Sequence, residues 1–439
     1  MTQLDRRAFL GAGAAIGLSS LPAWASAQDA AAPAGGAGTG IRPFHVHFPD
    51  TDLAELRRRI RATRWPERET VDDGSQGVPL AVMQDLARYW ASDYDWRKCE
   101  ARLNALPQFM TQIDGLDVHF IHVRSKHENA LPLIVTHGWP GSVIEQLKII
   151  DPLVNPTAHG GTASDAFHVV IPSLPGFGFS GKPTTNGWDA FRTARAWREL
   201  MTRLGYRRFV AQGGDLGAGV ATALALQSTP ELLGIHVNLP ATIPPDVAKA
   251  LQAGDPPRAD FSADEKLAYE ELALLFAKRR IYAAMMQTRP QTLYGLVDSP
   301  IGLASWIIDH PDGFGQPAVA MTAALTGHPG EGPSVGALTR DDILDDITLY
   351  WLTNTAISSA RYYWQSKLSL YNATDVNVPA AVSVFPGEGY QAPRSWTERA
   401  YHQLVHYNRL GKGGHYPAWE QPEIFVGELR ASFQSMRGT

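Results

Sequence analysis

Beyond residue 40 the chain changes its hydrophobic period more than once. Leu53, Leu56 and Ile60 recur at helical spacing behind Asp50-Thr51-Asp52, which offers an N-cap, and Trp65-Pro66 stops the run. A second helical stretch covers residues 80 to 94, so that 41 to 110 read as mostly helical. From Gln112 the period falls to two. Val118, Phe120 and His122 alternate with Asp117, His119 and Ile121, the pattern of a first strand. Residues 131–136, 167–171 and 209–212 are then short apolar runs, each ended by glycine or proline and separated by stretches of helical composition. Such alternation predicts an α/β fold with a mostly parallel sheet covered by helices, whose ligands gather beyond the carboxyl ends of the strands. The runs end in His137-Gly138-Trp139-Pro140-Gly141, in Pro175-Gly176-Phe177-Gly178-Phe179 and in the glycine-rich 213–217, and all three turns should share one rim. After 236–239 come helical spacings at 269–282, 304–309 and 343–364, interrupted by Pro-Gly turns, which read as a helical insertion over that rim. The sheet resumes at 380–385, with a last strand expected at 404–407.

Composition narrows the chemistry. Of 439 residues 44% are hydrophobic and 12 are Trp, ample for large cores, while a net charge of -5 without a basic run argues against a nucleic-acid partner. A small or apolar substrate fits better. The first residues stand apart: Arg6-Arg7 precede a Gly/Ala-rich apolar stretch to Trp24, which ends in the small-x-small pattern Ala25-Ser26-Ala27. Residues 1–27 resemble a twin-arginine export signal, so a periplasmic or secreted protein is expected. Gly11, Gly13, Gly17, Ser19, Ser20 and Pro22 break the stretch and argue against a stable membrane anchor. Residues 28–40 read as a flexible leader. Cys99 is the only cysteine, so no intrachain disulfide can form, in keeping with a chain that folds before export. His45 and His47, like His119 and His122, have no Cys or carboxylate at ligand spacing, and no phosphate-binding glycine loop is present. Neither a metal nor a cofactor is expected, and oligomeric state has no signal.

The run 209–212 meets Gly213-Gly214-Asp215-Leu216-Gly217 and continues into an Ala-rich segment of helical character. This is the outline of a nucleophile elbow, a strained strand-to-helix turn that needs small neighbours. Serine at its centre would suggest an esterase; aspartate suggests attack on a carbon atom, leaving an alkyl ester on the enzyme. A Gly-Gly-Asp turn is also an ordinary loop end, and what raises the elbow reading is the order of its partners. Glu388 follows the strand ending in Phe385-Pro386-Gly387, and Gly413-Gly414-His415 follows the last strand, giving nucleophile, acid and histidine in that order. His415, oriented by Glu388, would activate the water that releases the ester. The backbone N–H groups of Trp139 and Leu216 are candidates for the oxyanion hole.

With these residues assembled, the chain resembles the microsomal-type epoxide hydrolases, including the juvenile hormone epoxide hydrolases. The likeness rests on Arg64-Trp65-Pro66, His137-Gly138-Trp139-Pro140-Gly141-Ser142, Gln212-Gly213-Gly214-Asp215, Phe385-Pro386-Gly387-Glu388, Pro393-Arg394-Ser395-Trp396, Gly413-Gly414-His415 and Trp419-Glu420-Gln421-Pro422. It implies the α/β-hydrolase fold with a helical cap and a helical N-terminal region, and conversion of an apolar epoxide and water to a vicinal diol. The units would be an N-terminal region (41–115), a core in two parts (116–240 and 376–439) and a cap (241–375). The resemblance further implies two cap tyrosines that donate to the epoxide oxygen: Tyr282, and either Tyr363 or Tyr362, of which Tyr363 matches better. Two departures alter the pocket wall: Leu216 stands where many relatives carry Trp, and Tyr416-Pro417 follows His415. Competing readings are a haloalkane dehalogenase, which Leu216 weakens because it has no indole to hold a halide, and a ligand-binding protein on the same fold without turnover.

Overall fold

The computed structural model describes residues 40–72, 75–309, 338–366, 369 and 371–437. Residues 1–27, expected to be an export signal, and the expected leader apart from Gly40 lie outside them. The described chain builds a nine-stranded sheet in the order β1-β2-β3-β5-β4-β6-β7-β8-β9. The strands are β1 (Arg42–Pro43), β2 (Gln108–Ile113), β3 (Leu116–Val123), β4 (Leu131–Thr136), β5 (Phe167–Pro172), β6 (Phe209–Gly213), β7 (Leu232–Val237), β8 (Val376–Val384) and β9 (Tyr401–Arg409). The first three run antiparallel to their neighbours, and from β5 across to β9 every pairing is parallel.

The region expected to be helical carries three helices, Asp50–Arg61, Leu80–Ser92 and Trp96–Asn104, and also supplies β1 and β2. The first strand thus begins before Gln112. Alternation in β3 does not separate an inside from an outside: Val118, His119, Phe120 and Ile121 are all buried, because β3 is flanked by β2 and β5 and covered on both faces. His119 is held there by hydrogen bonds to Ser173 Oγ (2.9 Å) and Gln108 Oε1 (3.0 Å), and burial drives its pKa down to about 3. It is a neutral core histidine.

In the middle of the sheet the strands are nearly continuous apolar runs, as parallel strands buried on both faces must be. Helices Leu147–Val154, Ala190–Arg203, Asp215–Leu226 and Pro422–Ser432 accompany them, and Asp215–Leu226 is buried along almost its whole length. Between β7 and β8 lie Pro245–Ala253, Ala263–Leu274, Ile281–Thr288, Gly295–Asp298, Pro300–Ile308, Arg340–Leu352 and Ala356–Gln365. The helical run expected over 269–282 is divided: a π-helical turn, Leu275–Arg279, ends the first helix, and a new one starts at Ile281. Among the described residues no helix is long and apolar enough to cross a membrane.

Candidate active site

Register sets the site before any loop does. Thr136 pairs with Gly213, and Gly213 with Val237, so His137, Gly214 and Asn238 leave three adjacent parallel strands at one level. Gly387 and Gly414 form an isolated parallel bridge beyond β8 and β9, with Gly387 N–H donating to Gly413 O at 3.0 Å. Glu388 and His415 follow these two glycines and therefore emerge side by side.

Asp215 sits at φ 47°, in the left-handed region that L-residues enter only under constraint. The constraint is crowding. A Cβ on Gly213 would lie 2.0 Å from Gly217 O, and one on Gly217 would lie 2.0 Å from Thr136 O, so only glycine lets β6 turn this tightly into its helix. The turn aims Asp215 at the neighbouring rim. Its Oδ1 accepts the Trp139 N–H at 2.8 Å, and its Oδ2 lies 3.5 Å from His415 Nε2. His415 Nδ1 is 2.5 Å from Glu388 Oε1, which also accepts the Gly389 N–H at 2.7 Å. All three side chains are buried. Burial alone would depress the His415 imidazole, but Glu388 and Asp215 outweigh it and raise its pKa well above the usual histidine value.

Trp139 N–H and Leu216 N–H were both expected near this carboxylate. The first is a direct donor. The second belongs to the first turn of Asp215–Leu226 and has no acceptor one turn back along the helix. The Leu216 side chain is buried in the core, away from solvent.

Of the three candidate cap tyrosines, two meet the Trp139 ring and the third does not. Tyr282 stacks on the Trp139 ring with centroids 4.9 Å apart, Tyr363 meets the same ring edge-on at 6.0 Å, and the two tyrosine rings are 6.1 Å from one another. Tyr362 turns the other way, donating to Thr193 Oγ1 at 3.2 Å and packing against Phe177. The helix bearing Tyr363 is latched to the core by Ser358 Oγ, which donates to Gly176 O at 2.6 Å, and by Gln365 Oε1, which accepts the N–H groups of Gly187 and Trp188.

Three more residues, to none of which the sequence assigned a role, lie close by. Asn238, just past β7, donates from Nδ2 to Glu388 Oε2 (3.2 Å) and to His415 O (3.3 Å), while its Oδ1 accepts from Gln212 Nε2 (3.4 Å). Its place at a strand end on the shared rim was the available signal. His137 accepts the Leu174 N–H at Nε2 (3.0 Å) and pairs through Nδ1 with Gly138 O (3.0 Å); burial lowers its pKa to about 4, so a neutral ring braces the Trp139 turn. Glu145, an acidic residue buried inside the apolar stretch after that turn, is the third.

Known proteins share the sequence and the fold that carry these residues. Residues 41–146 match the model "Epoxide hydrolase N terminus" and residues 132–291 the "alpha/beta hydrolase fold" model. The chain is 50% identical over 399 residues to a Stigmatella aurantiaca protein whose name places it among epoxide hydrolases, covering 91% of this chain and 86% of that one. It is 31% identical over 421 residues to epoxide hydrolase 1 of Sus scrofa, covering 91% and 89%. The crystal structure of juvenile hormone epoxide hydrolase from Bombyx mori superposes with a TM-score of 0.79 at 28% identity, covering 91% of this chain and 95% of that one. The Aspergillus niger epoxide hydrolase structure follows at 0.75 and 29%, covering 90% and 96%. With its sheet, its cap and nearly its whole described length matched in this way, the chain belongs to the epoxide hydrolase family on the α/β-hydrolase fold.

Proposed function

We propose that this protein converts an apolar epoxide to a vicinal diol through a covalent ester on Asp215. The observation that carries the reading is the unequal treatment of the two Asp215 oxygens. Oδ1 is already bound by the Trp139 N–H, whereas Oδ2 faces His415. Oδ2 is then the oxygen that attacks an epoxide carbon, and Oδ1 becomes the ester carbonyl oxygen, lying where Trp139 and Leu216 can stabilise it as an oxyanion. Removing one such donor typically costs about a hundredfold or more in rate. Tyr282 and Tyr363 serve the opening epoxide oxygen as phenol donors, and the Trp139, Tyr282 and Tyr363 rings favour an apolar substrate.

His415 changes role during the cycle. At rest the Asp215 and Glu388 carboxylates keep it inclined to hold a proton. Esterification removes the Asp215 charge and the hold weakens; His415 gives up its proton, which balances the one taken up by the opened epoxide oxygen, and the neutral imidazole is then competent to take a proton from water as that water attacks the ester. Glu388 fixes the ring throughout. The twin-arginine-like segment further supports export of the folded protein to the periplasm or beyond.

The test is His415→Gln with styrene oxide. A protein-plus-epoxide adduct should accumulate by intact mass, and a single turnover of the native enzyme in heavy-oxygen water should label the Asp215 carboxylate. Labelled diol beside unlabelled Asp215 would mean direct attack by water.

A further inference from the structure

Behind the Trp139 turn lies a buried carboxyl group to which the steps above give no task. Glu145 belongs to the 3-10 turn Val143–Gln146 and is almost fully enclosed. Its Oε1 accepts a hydrogen bond from Gln146 Nε2 at 2.7 Å, but Oε2, equally buried, has no hydrogen-bond partner among the described residues. That oxygen occupies the space beside Gly141: a Cβ there would lie 1.7 Å from Glu145 Oε2 and 3.2 Å from Tyr416 Cε1. Gly141 is two residues past the oxyanion donor Trp139, and Tyr416 is bonded to His415 and packs on its ring at 4.7 Å. Both Asp215 and His415 act on the Glu145 charge. The remaining groups around it are Asp346, Tyr350, whose hydroxyl donates to Gly141 O, and Tyr416, whose hydroxyl accepts the Gly141 N–H. An unpartnered buried carboxyl oxygen is costly to keep unless something else satisfies it, and a water molecule does so where it finds two or more polar partners.

We propose, building on the ester mechanism above, that Glu145 is the positioning residue for the hydrolytic water, which donates one hydrogen bond to Oε2 and the other to His415 Nε2. In the hydrolytic step the water oxygen forms its bond to Asp215 Cγ, and one water proton passes to His415. The other proton stays on that oxygen and remains directed at Glu145. Collapse of the tetrahedral intermediate breaks the bond to the alkyl oxygen, which leaves with the electron pair and takes the proton back from His415. Burial first, then Asp346, holds the Glu145 carboxyl well above the usual range, so its ionised and better-accepting form grows as pH rises.

The experiment is a single-turnover comparison of native enzyme and Glu145→Gln with styrene oxide, following ester formation and breakdown by quenched-flow intact mass at several pH values. Ester formation should stay within about twofold, breakdown should slow about tenfold or more as the water loses the partner that orients it, and the rise of breakdown with pH that Glu145 contributes should disappear. A merely structural Glu145 would leave the ratio of the two rates and the pH profile unmoved while shifting the melting temperature, and that result overturns the proposal. If Glu145→Gln does not fold, Glu145→Asp, which draws the carboxyl back by one methylene, is read in the same way. Absence of adduct in both native enzyme and His415→Gln would overturn the ester mechanism itself, whereas adduct with unaltered breakdown in the Glu145 variants overturns only the water-positioning role.

Discussion

Asp346 allows the electrostatics beneath the site to be tested without touching the reacting groups. It is fully buried, its Oδ1 accepts from Ser142 Oγ at 2.5 Å, and burial first, with Asp345 adding to it, pushes its pKa from 3.8 up to about 8. Over the window between those values the unfolded chain releases its proton while the folded chain keeps it. Stability therefore falls as pH rises, by up to about 1.4 kcal/mol per pH unit. Replacement by Asn removes this component and retains an amide oxygen for Ser142. From pH 5 to pH 8 the advantage of Asp346→Asn over the native protein should grow by at most about 4 kcal/mol, and by about 2 kcal/mol once local relaxation has reduced the burial penalty. Urea unfolding of both proteins across that range, fitted with a common m-value, measures the difference directly. Parallel stability curves, with the same gap at pH 5 and at pH 8, would refute the assignment of a neutral buried acid.

Tyr363→Phe and Tyr282→Phe should each slow ester formation about tenfold or more as one donor is lost, and the double variant should nearly abolish it in single-turnover mass measurements. Tyr362→Phe should leave ester formation unchanged and cost about 1 kcal/mol of stability, the worth of its bond to Thr193. Gly217→Ala should fail to yield folded, active protein, because the new methyl meets Thr136 O at 2.0 Å and the backbone cannot give way; a variant with native melting temperature would contradict the packing of the elbow. Asn238→Ala should leave Asp215 in place yet loosen Glu388 and His415, lowering the rate of ester breakdown more than that of ester formation in pre-steady-state assays.

The residues that carry the proposed chemistry were legible because each stands at the end of an apolar run and beside glycine. Asp215 follows β6, Glu388 follows Gly387 past β8, and His415 follows Gly414 past β9. A parallel sheet delivers all such positions to one edge, so order along the chain was enough to bring them together. The opening of the sheet was harder to read. β1 has only two residues, and in β2 the polar Gln108 and Thr111 are buried because Gln108 answers His119 and Leu103 while Thr111 accepts from Arg203, which hides the apolar signal. The break after Leu274 was equally silent, since a π-helical turn keeps the composition of the helix around it. Glu145 and Asn238 were missed for a different reason: their importance lies in contacts made across strands, and no local period records those. Tyr363 and Tyr362 are adjacent on one helix, about 100° apart by helical geometry, and only the packing of that helix on Gly176 decides which of them meets Trp139.

Asn238 has a consequence for how such a protein can diversify. One amide at a strand end touches the loops of both the acid and the histidine and, through Gln212, the strand that leads to the nucleophile. The spacing of the triad is thereby clamped to the sheet edge. Insertions or deletions in the outer parts of the cap can then reshape the substrate chamber without detuning the hydrolytic centre, so a lineage can trade substrates while inheriting one reaction intact.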